Sequence, residues 1–320
     1  MTRLMGFCAA VAGILVAEFG GQQVPVFRGM AESVPVYVTV TDKASRLVTT
    51  LGREDFSIFD NGRPQPVTQF DNTPQPVHLI VMLDISGSMY GNLPLLRAAC
   101  DQLFARLGPD DQARVGSFGS EIDISPTFTG DPAALRAAVP VDIPRNAPTP
   151  LWNALDAALD ALKGIEGRRV VLVLSDGKNQ PDFRFNRRFL TEVEIIDRAQ
   201  REEVMFYGVG LWSRAAQRTM PAGGFGAPGG FGGASNLLSD MPDPGLGTLA
   251  LETGGGYFEI RPKDDLGAAF ARAIDELHSQ YILGFAPPDR DGKRHKIEVR
   301  LGRSGLKSRA RKSYIAPKAR

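Results

Sequence analysis

The chain has 320 residues, 43% hydrophobic, 23% charged and 8% aromatic, near globular averages. It is long enough for about two domains, and its composition excludes wholesale disorder, collagen and coiled coil. Lysine plus arginine number 37 against 36 acids, a net charge of +1, which excludes a dedicated nucleic-acid binder relying on phosphate neutralisation.

Residues 1–23 open with Arg3, run uncharged from Leu4 to Ala17 and turn polar at Glu18, Gln22 and Gln23. That is the profile of a signal peptide, so the chain is expected to be exported to the periplasm or beyond, with cleavage between Ala17 and Gln23. The apolar run is short for a membrane span, which makes an uncleaved anchor the lesser expectation. Cys8 follows Phe7, where a lipoprotein signal would show a small residue.

Residues 30–72 read as β structure. Val34, Val36, Val38 and Val40 alternate, and Phe56-Ser-Ile-Phe59 runs into Asp60-Asn61-Gly62, a type I′ turn signal, before Val67 and Phe70. From Val77 the pattern changes to continuous apolar strands separated by amphipathic helices, which predicts a doubly wound, mostly parallel α/β sheet over residues 75–280. The predicted strands are Val77–Leu83, Arg114–Phe118, Val170–Leu174 and Val204–Leu211. Helical spacing links Leu96, Cys100, Leu103 and Leu107, then Leu151, Leu155, Ala158, Leu159 and Leu162, then Leu266, Phe270, Ile274, Leu277 and Tyr281. Cys100 falls on an apolar stripe and reads as a small core hydrophobe.

The stretch 221–235 is a glycine-rich loop containing Gly224-x-Gly226-x-x-Gly229. Pro228 and the lack of a following helix break the strand-turn-helix context that a nucleotide site needs, so no nucleotide is expected. Residues 281–316 return to β pattern: Tyr281–Phe285, Lys296–Leu301 and Ser308–Tyr314. Each flank alone is short for a core, so the two are expected to pair as a smaller β domain holding the α/β domain as an insertion. From Arg290 onward twelve bases meet two acids, a local +10 over a body of −9. Attraction to that acidic body, a solvated strand face, or contact with an anionic membrane surface would each account for it.

The first predicted strand ends in Asp84-Ile85-Ser86-Gly87-Ser88 and the third in Ser175-Asp176-Gly177. The carboxyl edge of an open α/β sheet is where ligand sites gather. Two carboxylates brought together there would repel and lose hydration, and a cation between them resolves both penalties. Oxygen donors without histidine or thiolate select a hard ion: Mg²⁺, Mn²⁺ or Ca²⁺. Thr149, before Pro150, offers a third hydroxyl and reads locally as an N-cap with proline at the first helical position.

Asp84-x-Ser86-x-Ser88, Thr149 and Ser175-Asp176-Gly177, in that order and spacing, resemble the metal-ion-dependent adhesion site of von Willebrand factor type A (VWFA) domains. The flanks, among them Gln280-Tyr-Ile-Leu-Gly-Phe285 and Asp291-Gly-Lys-x-His295, are similar to a group of bacterial, chiefly acidobacterial, exported proteins with such a domain. The resemblance implies that Ser86, Ser88 and Thr149 bind a divalent cation directly or through water. It implies that Asp84 and Asp176 bind the cation or orient its waters, with one position open for an acidic side chain of a protein partner. The function so implied is adhesion-type protein binding without catalysis. The rival readings are a serine hydrolase using Ser86 or Ser88, which lacks the Gly-x-Ser-x-Gly elbow, and a structural envelope scaffold. None of His78, His278 and His295 sits in an acid-base motif. No phosphate-cradling Gly-Lys-Ser/Thr loop is present. Lys178 stands close enough to Asp176 in sequence to weaken metal binding.

Overall fold

The computed structural model describes residues 33–180, 190–212, 242–261 and 264–318. The expected signal peptide and the glycine-rich loop lie outside the described residues. Four strands come first: β1 (Val34–Thr41), β2 (Phe56–Asp60), β3 (Arg63–Gln65) and β4 (Gln69–Asp71). The alternating part follows with β5 (Val77–Asp84), α1 (Leu93–Phe104), β6 (Gln112–Phe118), β7 (Ile122–Ile124), α2 (Pro132–Ala138) and α3 (Leu151–Ala161). It continues with β8 (Arg168–Ser175), α4 (Glu192–Arg201), β9 (Met205–Leu211), α5 (Pro244–Thr253), β10 (Tyr257–Ile260) and α6 (Leu266–His278). Strands β11 (Tyr281–Phe285), β12 (Arg294–Leu301), β13 (Lys307–Arg309) and β14 (Ser313–Ile315) complete the fold.

The central sheet runs β10-β9-β8-β5-β6-β7, parallel except for β7. Strands β5 and β8 are apolar almost throughout because both faces are covered. Strand alternation divides their side chains between two cores. Leu79, Val81 and Leu83 pack with Leu96, Leu103, Phe270 and Ile274 of α1 and α6, in the core that also takes Cys100. Ile80 and Met82 pack with Leu151, Leu155, Ile195 and Leu249 of α3, α4 and α5. The chain leaves β5 toward one face and β8 toward the other. The crevice between their carboxyl ends is therefore the switch point of the sheet.

The flanks form two antiparallel sheets, β13-β1-β11-β4 and β14-β12-β2-β3, around a common core of Val36, Val38, Ile58, Leu283, Phe285 and Tyr314. The chain ends pair directly: Val34 faces Phe285 and Val38 faces Tyr281, while Phe56 faces Leu301. Asn61 and Gly62 take φ of 48° and 80° between β2 and β3, the left-handed pair a type I′ turn requires. Buried Asp60 at the end of β2 accepts from Tyr314 Oη at 3.1 Å and lies 2.9 Å from His295 Nδ1, tying one flank to the other.

A buried polar network joins the two layers of the protein. Arg168 donates to the Leu277 carbonyl and to Gln280, whose amide donates to Thr39 Oγ1 at 2.8 Å. Glu276, 1% exposed, pairs with Arg309. The basic tail finds acidic partners on the body: Arg294 with Asp197, Arg303 with Asp55, Arg311 with Glu203 and Lys312 with Glu252.

Two expectations are corrected. The single strand expected over Ser308–Tyr314 is two short strands in different sheets, because the chain crosses between them at Ala310–Lys312, with Arg311 donating to the Pro35 carbonyl at 2.6 Å. The last helix stops at His278, so Tyr281 drops out of the helical spacing; it opens β11, whose bounds are those of the expected strand Tyr281–Phe285.

Candidate metal centre

Strand β5 delivers Asp84 to the sheet's carboxyl edge, fully buried. Its Oδ1 accepts from the Ser86 backbone N–H at 2.8 Å, which turns the chain sharply after the strand, and its Oδ2 accepts from Ser175 Oγ–H at the end of β8. The turn brings Ser86 Oγ within 3.0 Å of Ser88 Oγ, and Ser88 donates to Asp176 Oδ1 at 2.7 Å. With the Ser88 proton committed to Asp176, Ser86 donates to Ser88, forming a short hydroxyl chain that ends on a carboxylate.

Thr149 closes the group from the loop before α3. A Cβ placed on Gly177 would lie 3.3 Å from Thr149 Oγ1 and 3.8 Å from Ser88 Oγ, so both hydroxyls border the backbone that follows Asp176. The helix starts at Leu151 with Pro150 as its cap and makes no side-chain capping bond. The N-cap expectation for Thr149 is thus corrected: Pro150 takes the cap position and Thr149 lies one residue outside the helix. Asp84, Ser86, Ser88, Thr149 and Asp176 occupy one neighbourhood, and all but exposed Ser88 are buried.

Sequence reasoning named Ser175 and Gly87 within their motifs without giving them a role, and did not single out Asn179. Ser175 holds Asp84 through its hydroxyl. Gly87 donates to the Ala147 carbonyl at 2.9 Å, and a Cβ on it would lie 2.1 Å from Arg145 O, so that backbone approach requires glycine. Asn179 accepts from Trp152 N–H at 3.3 Å and donates its own backbone N–H to Asp243 Oδ2 at 3.0 Å, clamping the segment after Asp176 to the starts of α3 and α5.

The electrostatics call for a cation. Asp176 Oδ2 is buried without a hydrogen-bond partner, a condition that costs about 1–3 kcal/mol, and more when the group is charged. Every donor is oxygen, and the orphaned oxygen lies in the same neighbourhood as the hydroxyls, so the residues fit a hard divalent ion. Among the described residues no group of three or more His, Cys, Asp or Glu is placed to hold a metal. This site gathers only two carboxylates, which would leave a divalent ion attractive to a further anion.

Burial and the charge of Asp176 push the Asp84 carboxyl up from its ordinary 3.8 to about 7; burial raises Asp176 to about 6. Between about pH 4 and 7 the metal-free folded chain binds more protons here than the unfolded chain, so this pair's contribution to stability falls as pH rises through that window. A cation takes the deprotonated pair. The melting temperature should therefore rise little with Mg²⁺ at about pH 5 and substantially at about pH 8, read by thermal unfolding with and without the ion. An equal shift at both would show that these carboxylates are not the ligands.

The histidines a serine nucleophile would need are elsewhere. His78 lies at the opposite end of β5 against Phe128, His278 contacts Asp111 at 2.8 Å, and His295 is buried against Asp60 in the flanking sheets.

Residues 79–178 match the family profile of the von Willebrand factor type A domain, a span that contains all five residues. No curated protein matches the chain significantly. Solved structures with similar folds include BatB from Bacteroides thetaiotaomicron, at 17% identity and a TM-score of 0.45, over 63% of this chain and 98% of that one. Another is the ArnB paralog VWA2 from Sulfolobus acidocaldarius, at 14% and 0.42, over 90% and 76%. A third is proximal thread matrix protein 1 from the mussel byssus with a zinc-occupied MIDAS motif, at 16% and 0.42, over 67% and 48%. At these identities none bears on this chain's own ligand. The matched profile and the parallel sheet agree: residues 79–178 belong to a von Willebrand factor type A domain.

Proposed function

We propose that this protein is an exported, adhesion-type binding module that takes a carboxylate of a protein partner through a divalent cation, Mg²⁺, Mn²⁺ or Ca²⁺, held by Asp84, Ser86, Ser88, Thr149 and Asp176. When bound, the ion supplies an electrophilic coordination position that an Asp or Glu of the partner can fill. The protein's share is positional. Ser175 and the Ser86 backbone fix Asp84, the hydroxyl chain fixes Asp176 Oδ1, and Ser88 is the exposed member of the group, open to an incoming side chain. The observation that carries the reading is the buried, unpartnered Asp176 Oδ2, on a carboxylate whose other oxygen accepts from Ser88.

Export rests on the sequence of residues 1–23; among the described residues no helix is long and apolar enough to cross a membrane. The tail's ion pairs with the body favour an internal role for its charge over a membrane contact. A serine hydrolase draws no support from the placement of the three histidines. The test is a pull-down from envelope extract in Mg²⁺ or in chelator, with Asp176→Asn as control. A partner should be retained only by the wild type in Mg²⁺; equal capture in chelator would refute cation-mediated binding.

A further inference from the structure

The rim of the centre holds an unused cationic side chain. A Cβ on Gly87 would meet the Arg145 carbonyl oxygen at 2.1 Å, so the Arg145 backbone rests on the turn between Ser86 and Ser88. Its side chain turns to Tyr90, two residues beyond Ser88. The guanidinium carbon stands 4.1 Å from the ring centroid, and Nη2 donates to Tyr90 Oη at 2.7 Å. Arg145 is exposed and Tyr90 is 48% exposed.

Several exposed arginines among the described residues, such as Arg136, Arg294 and Arg303, have a carboxylate partner. Among the described residues Arg145 has none, and the Tyr90 hydroxyl uses one of the guanidinium's five donors. A stacked guanidinium is already ordered, so it loses little freedom on taking a carboxylate. A positive charge at the rim does nothing for a nearby divalent cation except repel it, so its usefulness lies with an anion arriving from outside. The surroundings point to a protein rather than a small acid. Of the five exposed large apolar residues among those described, Tyr90, Leu95 and Val141 lie on the two segments that Arg97 joins by donating to the Pro140 carbonyl at 3.2 Å.

We propose that Arg145, held on Tyr90, is a specificity residue that takes a second carboxylate of the partner, so that the site reads an acidic polypeptide segment with two neighbouring carboxylates, one for the cation and one for the guanidinium. This rests on the cation-mediated reading above, and the experiment separates the two. Immobilised poly-L-glutamate serves as the probe, and Mn²⁺ affinity is measured separately on each protein. Wild type should bind the polymer in Mg²⁺ and release it in chelator. Arg145→Glu should bind it about 10-fold or more weakly, Arg145→Ala about 3- to 10-fold, and Arg145→Lys should recover part of the loss. Mn²⁺ affinity should be unchanged or slightly higher in all three. Wild-type binding by Arg145→Glu would overturn this inference and leave the cation standing. Loss of Mn²⁺ binding in that variant would make Arg145 structural and overturn it as well. A wild type that shows no Mg²⁺-dependent binding would overturn both.

Discussion

Asp84→Asn should abolish the stabilisation expected from Mg²⁺ and leave the sheet folded. The substitution keeps the local hydrogen bonds. An amide oxygen still accepts from the Ser86 backbone, and the amide nitrogen can donate to Ser175 Oγ, whose proton rotates away. What disappears is one of two buried like charges, so the metal-free variant should be at least as stable as wild type above about pH 7, where Asp84 would otherwise ionise. With Mg²⁺ at about 100 times its Kd, wild type gains about 2.7 kcal/mol and the variant nothing. Asp84→Ala should lose the same gain, since the residue ends its strand. Thermal unfolding with and without the ion reads both effects. A variant that keeps the full shift would remove Asp84 from the ligand set.

Gly87→Ala should damage the centre through the backbone. The added Cβ would lie 2.1 Å from Arg145 O and 2.9 Å from Arg145 C, atoms that no rotamer change can move aside. Relief requires the loop to retreat, which breaks the 2.9 Å bond from Gly87 N–H to the Ala147 carbonyl and shifts Thr149 two residues on. A cost of about 2–3 kcal/mol is expected from overpacking and the lost bond, and a cation affinity at least about 10-fold lower from the displaced hydroxyl, equivalent to about 1.4 kcal/mol. Denaturant unfolding and Mn²⁺ titration check the two separately. Wild-type Mn²⁺ affinity in this variant would mean that the loop carrying Thr149 does not contribute.

Much of this architecture is local in the sequence. Strands β5 and β8 announce themselves as unbroken apolar runs because two layers of helix cover them, and Asn61-Gly62 marks its turn because few residue pairs accept left-handed backbone. The Asp-x-Ser-x-Ser spacing is legible because a single tight turn brings its oxygens together. Helix α4 carried two readable signals, the capping box of Thr191 and Glu194 and the buried face of Ile195, Ile196 and Ala199. Helix α5 carried end signals, Asp243 as N-cap, Pro244 at its first position and left-handed Gly254 at its end, but Gly245 and Gly247 weaken its interior pattern, and its place depends on packing against Trp152 and Tyr257. The crossing at Ala310–Lys312 was hidden, because the partners of Arg311 are Pro35 and Glu203, far away in the chain. The same holds for the support of the centre. Ser175 and Asp84 are 91 residues apart, and Asn179 and Asp243 are 64 apart, so nothing in local spacing couples them.

The most direct measurement is the anomalous difference density of crystals grown with Mn²⁺. The account predicts a single strong peak at the end of β5 and β8, within coordination distance of oxygens from Ser86, Ser88 or Thr149 and beside Asp84 and Asp176. Density lacking any peak there at saturating Mn²⁺, or a peak elsewhere on the molecule alone, would contradict it.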